Sequence, residues 1–334
     1  MKKGIKTGIK YIFPLLIGFG ILTYLYQGIQ IEDLQQVLQS NVKWQWILLS
    51  LLFATLSHIL RALRWRLQLD ELQVKTTTST LVNAVFGGYA VNLILPRLGE
   101  IWRCNYLSKQ VDKPFSSLLG TLVSERLFDV LFLGLFVVAT FFLQPQFFLS
   151  FFESYTLADK FEPLMWALMF LGLFVILSAA SVFYFWDKIQ HYALVRYVHQ
   201  VSQKLLLGIN TLLTMPSKGA YLLSTGGIWI LYFLNFYVCL FAFDFTQDIT
   251  FLQGLTLFVM GSIAVIAPVQ GGIGPWHFML ITTLVQFGVA HSQAAIFALV
   301  VHAIQQLFVL LLGVYAFISI YLMQRKTRDT QLTV

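Results

Sequence analysis

Arg97, Glu100 and Arg103 stand three residues apart, directly after Pro96 and around Gly99, at the end of the apolar run "GGYAVNLILPRLGEIWR" (87–103). At helical spacing the three share one broad face. Arginine offers a planar fork of donors suited to phosphate oxygens, and Glu100 between the two arginines can hold that fork in place. The chemistry this suggests is binding of an anionic headgroup. The bland alternative is a short surface helix with exposed ion pairs. A second charged set, Glu125, Arg126 and Asp129, lies in "SERLFDV" (124–130). Glu125 and Asp129 share a face at i,i+4. They can pair with Arg61, Arg64 or Arg103, contact a substrate, or do both as an ion-pair gate. Arg61 and Arg64, with His58, close an earlier apolar run, where basic residues also serve as plain membrane anchors.

A further set surrounds "AVIAPVQGGIGPW" (264–276), with Pro268, Gln270, Gly271, Gly272, Gly274, Pro275 and, one residue on, His277. Glycines there permit close backbone approach. His302 and Gln305 follow on the last apolar stretch. These polar residues are candidates either for the far half of a pathway or for polar glue between helices. Both proline-marked breaks also create helix N-termini, whose N–H groups and dipole favour an anion.

The elements that must position these residues are membrane helices. Of 334 residues, 58% are hydrophobic and 11% charged, against roughly 25% charged in soluble domains. Apolar stretches at about 11–27, 44–66, 116–143, 163–186, 219–243 and 293–322 approach the ~20 residues a spanning helix needs. Two more, at about 78–95 and 251–290, are interrupted by Pro and Gly. The first stretch has a basic flank but no clear cleavage site, so it reads as a retained helix. Cys104 and Cys239 are too few and too far apart for a disulfide framework or a metal cluster. No metal and no cofactor is expected, and the net charge of +7 is distributed for a membrane rather than for nucleic acid.

Lys and Arg collect on the cytoplasmic side of membrane proteins, and this decides how the broken stretches run. If 78–112 dips in and returns, all Lys and Arg except Lys43 and Lys160 fall on one side. If 78–95 crosses, the basic 187–218 loop and the C-terminal tail are thrown outside. The first stretch is therefore expected to be re-entrant. For 251–290 charge is silent, because it holds no charged residue. A second re-entrant hairpin from the opposite face is the simpler expectation, and a spanning hairpin is the alternative. "NLILPRLGEIW" (92–102) and "AVIAPVQGGIGPW" then mark matching places in inverted halves, the usual pointer to a transporter's site. The expected fold is an all-α polytopic membrane protein. It has about six spans plus two broken re-entrant hairpins, in repeats of about 1–145 and 160–324. Both termini are cytoplasmic, 187–218 lies on the membrane surface, and 325–334 forms a basic tail.

With "NLILPRLGEIWR", "SERLFDV" and "QGGIG" in view, the chain resembles the lysylphosphatidylglycerol synthetase transmembrane family, the flippase-like domain of the multiple peptide resistance factor. Gly99, Glu100 and Arg103 match the family pattern directly, and Arg97 matches if the Pro-to-Arg spacing shifts by one. Gln270 and His277 stand where the family usually has Pro and an acid. The resemblance implies inverted repeats with re-entrant helices and movement of a lipid between leaflets. Without an aminoacyl-transfer domain after "QRKTRDTQLTV", the chain is not expected to make lysyl-lipid. The leading expectation is a flippase-like transporter in a bacterial-type inner membrane, acting on an anionic phospholipid or a polyprenyl-phosphate-linked carrier. Alternatives are a membrane-embedded transferase using a lipid-phosphate donor, for which Glu125 and Asp129 are the metal-holding candidates, and a non-transporting partner of an envelope-synthesis enzyme. The expected partners are the membrane lipid itself, a second copy of the chain, or such an enzyme.

Overall fold

Leucine-rich and free of Gly and Pro, the segment after Lys43 forms one uninterrupted helix. The computed structural model describes residues 16, 18–39, 42–154, 203, 210, 214–267 and 269–332. The expected span at 163–186, most of the 187–218 segment and Pro268 lie outside the described residues. Among the described residues every regular element is helical. Residues 18–25 are helical and lead to α1 (Ile31–Gln39). The long helix is α2 (Trp44–Glu71), 28 residues and roughly 42 Å at 1.5 Å per residue. Then come α3 (Thr78–Ile94), α4 (Leu98–Ser108), α5 (Phe115–Leu143) and α6 (Pro145–Ser154). The second half holds α7 (Lys218–Tyr237), α8 (Phe251–Ala264), α9 (Pro275–Gln286) and α10 (His291–Leu332).

Among the described residues four helices are long and apolar enough to cross a membrane: α2, α5, α7 with its 3₁₀ extension to Ala242, and α10 from His291 to Arg325. They answer to the stretches read at 44–66, 116–143, 219–243 and 293–322. Helix α2 runs past the expected end because Arg64, Gln68 and Leu69 are fully buried and its last turns are core. The outer face of α5 leaves Val130, Leu131, Leu135, Val138 and Phe142 exposed. An apolar band of this kind on a helix of spanning length suits a lipid environment.

The two broken stretches are helix pairs that double back. Pro96 disfavours helical geometry in the residue before it, and Leu95 is extended at φ −127°, ψ 99°. Arg97 then takes the left-handed conformation at φ 63°, and α4 runs back along α3. Gly99 makes this return possible. A Cβ there would lie 1.8 Å from the Gly88 carbonyl oxygen, so only glycine allows the approach. In the second break Gly271, Gly272 and Gly274 all have positive φ, and Pro275 opens α9, the first-turn place that suits proline.

The two hairpins share a packing detail. Trp102 covers Gly87 in the first, and Trp276 covers Gly261 in the second. In each, a helix-two tryptophan fills the space left by a helix-one glycine fifteen residues earlier. The hairpins open toward opposite ends of the bundle. Arg66 near the end of α2 bonds Thr76 and Thr78 at the start of the first hairpin. At the other end Lys43 N–H donates to the Ala242 carbonyl at 3.0 Å, just before the second hairpin begins.

Candidate functional site

One face of α2 carries Ser57, His58, Arg61, Arg64 and Gln68, all buried. Arg61 lies ten residues from the end of α2, roughly 15 Å along the axis. Across from it, Glu125 and Asp129 face inward from α5, and Asp129 is the middle residue of that 29-residue helix. The charged face therefore meets well inside two helices of membrane length.

Arginines serve every oxygen of both carboxylates. Glu125 Oε1 accepts from Arg61 Nη1 at 2.7 Å and Arg64 Nη2 at 2.9 Å, and Oε2 accepts from Arg103 Nη2 at 2.6 Å. Asp129 Oδ1 accepts from Arg64 Nη1 at 2.9 Å. Its Oδ2 accepts from Arg61 Nη1 at 3.0 Å and Arg126 Nη1 at 3.3 Å. Arg126 also pairs with Glu100 at 2.8 Å nearer the surface. Neutral groups complete the shell. Thr225 accepts from Arg64, Tyr232 accepts from Arg61, and the Arg103 guanidinium lies 4.3 Å over the Trp65 ring.

Among the described residues this cluster sets four guanidiniums, Arg61, Arg64, Arg103 and Arg126, against three carboxylates, Glu100, Glu125 and Asp129. One positive charge is left over. Burying an ion costs several kcal/mol even in a relaxed protein, and a well-packed apolar replacement is often as stable. The Nε–H groups of Arg64, Arg103 and Arg126 have no acceptor. The site has more donors than its own carboxylates absorb, which is the chemistry of an anion receptor.

The structure alters several sequence expectations here. Arg97, Glu100 and Arg103 do not form one face, because Arg97 sits before α4 in a left-handed turn. Glu100 holds Arg126 rather than a fork between Arg97 and Arg103, and Arg103 turns inward to Glu125. Arg97 Nη2 instead reaches across to the Ile266 carbonyl in the second break, at 2.7 Å. His58, Arg61 and Arg64 are not terminal anchors but buried residues. The Gly99 N–H at the start of α4 is already taken by Asn92 Oδ1 at 2.7 Å, so this N-terminus is not simply open to an anion. Glu125 and Asp129 are engaged by arginine throughout, which opposes their use as a metal pair. Among the described residues no group of three His, Cys, Asp or Glu is placed to hold a metal ion.

The second break gathers its own polar residues. The Gly274 N–H donates to His277 Nδ1 at 3.4 Å, capping α9. The Gly271 carbonyl accepts from His302 Nε2 at 2.8 Å and from Gln306 Nε2 at 3.1 Å. The partner there is Gln306, one residue beyond the Gln305 singled out from sequence. The His277 and His302 rings lie 4.6 Å apart, and Trp276 stacks on His302. Gln270 is buried beside them. The stretch 251–290 carries no charged residue of its own, and it meets the arginine-bearing half through the Arg97 bond to Ile266. Tyr232, Tyr89 and Thr225 were not singled out from sequence. The spacing of Ser57, His58, Arg61, Arg64 and Gln68 on α2 marks the polar face, but nothing in a single sequence says that α7 covers it.

Among the described residues the regular structure is all helical, with four helices of spanning length and an apolar outer band, which defines an integral membrane protein. The chain belongs to the family described as the lysylphosphatidylglycerol synthase TM region, whose model matches residues 11–313. No curated protein and no solved structure matches the chain.

Proposed function

We propose that this protein binds an anionic lipid headgroup at the arginine cluster and carries it between leaflets. The lipid is a phospholipid or a polyprenyl-phosphate-linked carrier. The observation that carries this reading is the buried set of arginines in one-charge excess over its carboxylates, deep within α2 and α5. Ionisable groups at such depth are kept for function rather than stability. An anionic headgroup supplies the missing negative charge while the acyl chains stay in lipid. The family ties the chain to lipid handling at a membrane.

On this reading both hairpins are re-entrant, entering from opposite faces and meeting near the midplane. The matched Gly87–Trp102 and Gly261–Trp276 packing and the Arg97–Ile266 bond between the tips support inverted repeats at about 1–145 and 160–324. The charge distribution supports cytoplasmic termini and a bacterial-type inner membrane. The arginine cluster then opens to the cytoplasmic leaflet, and the uncharged His277–His302 half faces the other.

Liposomes holding headgroup-labelled anionic or zwitterionic lipids, with and without the purified protein, test this directly. Faster loss of leaflet asymmetry for the anionic lipid is the expected result. Identical rates with and without protein, for every anionic lipid class tried, would reject it.

A further inference from the structure

The hydrogen-bond chain leaving Arg61 has a direction that the donor inventory fixes. Arg61 donates twice to the Tyr232 hydroxyl oxygen, from Nε at 3.1 Å and from Nη2 at 2.9 Å. A hydroxyl oxygen has two acceptor positions and one proton. With both positions filled by guanidinium N–H groups, Tyr232 can only give its own proton away. The Tyr89 hydroxyl lies 3.0 Å from it, so Tyr232 donates and Tyr89 accepts. The Tyr89 proton must then point elsewhere, and among the described residues no acceptor receives it.

The relay Arg61 to Tyr232 to Tyr89 thus ends in a free donor backed by a cation. Hydrogen bonds in series polarise one another in a low-dielectric interior, so the last O–H is a stronger donor than an isolated phenol. Tyr89 is half-buried on α3, in the first hairpin. Beside it lies His58, with ring centroids 4.3 Å apart. His58 is 7% exposed, and its Nδ1 has no partner. A hydroxyl proton without an acceptor and a buried ring nitrogen without a partner therefore lie on two adjacent side chains beside the over-cationic cluster.

We infer that the Tyr89 hydroxyl, with His58 beside it, is a contact for a phosphate oxygen of the ligand, while Arg61 and Tyr232 position and polarise it without touching the ligand. This rests on the function proposed above and adds a named contact to it. A positively backed donor selects an anionic oxygen over a neutral carbonyl. The phosphate can belong to a lipid headgroup or to free phosphate, and the test separates the two.

Full-length protein carrying 3-fluorotyrosine is solubilised in detergent, and the Tyr89 fluorine resonance is assigned from its loss in Tyr89→Phe. It is then titrated with dihexanoylphosphatidylglycerol, with inorganic phosphate and with dihexanoylglycerol, which lacks the phosphate. The phospholipid should shift the Tyr89 resonance at lower concentration than inorganic phosphate, and the diacylglycerol should leave it in place. Tyr89→Phe keeps the ring against His58, and it should weaken phospholipid binding about tenfold, the loss of one hydrogen bond to a charged group. Binding of equal strength in wild type and Tyr89→Phe, or a Tyr89 resonance that stays put while phospholipid binds, would overturn the contact and leave the proposed function standing. Equal response to inorganic phosphate would overturn the lipid as its ligand. No phospholipid binding by the wild type would overturn both readings. The wild-type resonance decides even if a variant fails to fold.

Discussion

Arg64 Nη2 lies 2.9 Å from Glu125 Oε1, and neither side chain has exposed surface. Removing one member of such a pair strands a charge in the interior, at a cost of about 3–5 kcal/mol. Glu125→Gln is therefore expected to lower thermal stability in detergent sharply. Combining it with Arg103→Met removes one charge of each sign, and the double variant should be more stable than additivity of the two singles predicts. Additive losses would show that the cluster does not act as a unit. Asp244→Asn, by contrast, breaks only the exposed pair with Lys43 at 2.9 Å and should cost less than about 1 kcal/mol.

Gly99 offers a steric test of the first hairpin. A methyl there would collide with the Gly88 carbonyl and would also strain the Asn92 bond to the Gly99 N–H. Gly99→Ala should destabilise by at least about 1–3 kcal/mol, the usual cost of forced overpacking. Gly134 lies inside α5 with nothing within 4 Å of its missing Cβ. Gly134→Ala should be neutral or stabilising by up to about 1 kcal/mol, the helix-propensity difference. Thermal unfolding of both variants checks the contrast.

Arg97 joins the hairpin tips. Its left-handed conformation is unfavourable for a residue with a side chain, and the bond to Ile266 at 2.7 Å fixes it against the C-terminal, electronegative end of α8. Arg97→Gly keeps the backbone geometry and removes the bond. Spin labels at the exposed Ile94 and Val265, with Cys104 and Cys239 replaced, should give a broader distance distribution in that variant than in the parent. An unchanged distribution would mean that the tips are held by other contacts.

Cys104 and Cys239 are free and buried, at 0% and 1% exposure. A maleimide should label neither in the folded protein and both after denaturation. Rapid labelling of Cys104 in the native state would show that the α3–α4 hairpin opens readily.

The sequence by itself determined the class of the molecule. Its shortage of charge and its apolar lengths point to membrane helices, since in lipid only helices and closed barrels satisfy the backbone and continuous apolar stretches of this length suit helices. Pro96 and the glycines at 271, 272 and 274 mark the breaks, because proline and positive φ act locally. The charged residues of the cluster were also visible, being rare in such a chain. Their partners were not. Glu125 meets Arg61 and Arg64, 64 and 61 residues away in sequence, and Arg103, 22 residues away. Arg97 meets Ile266 across 169 residues. Helical periodicity says which residues share a face, but not which helix covers it. For that reason Glu100 looked like the partner of its neighbours Arg97 and Arg103 until packing assigned it to Arg126. The tyrosine relay was hidden for the same reason, because Tyr89 and Tyr232 are ordinary residues on apolar helices. Only the crossing of α2, α3 and α7 places their hydroxyls in series with Arg61, and only tertiary structure could give that chain a direction.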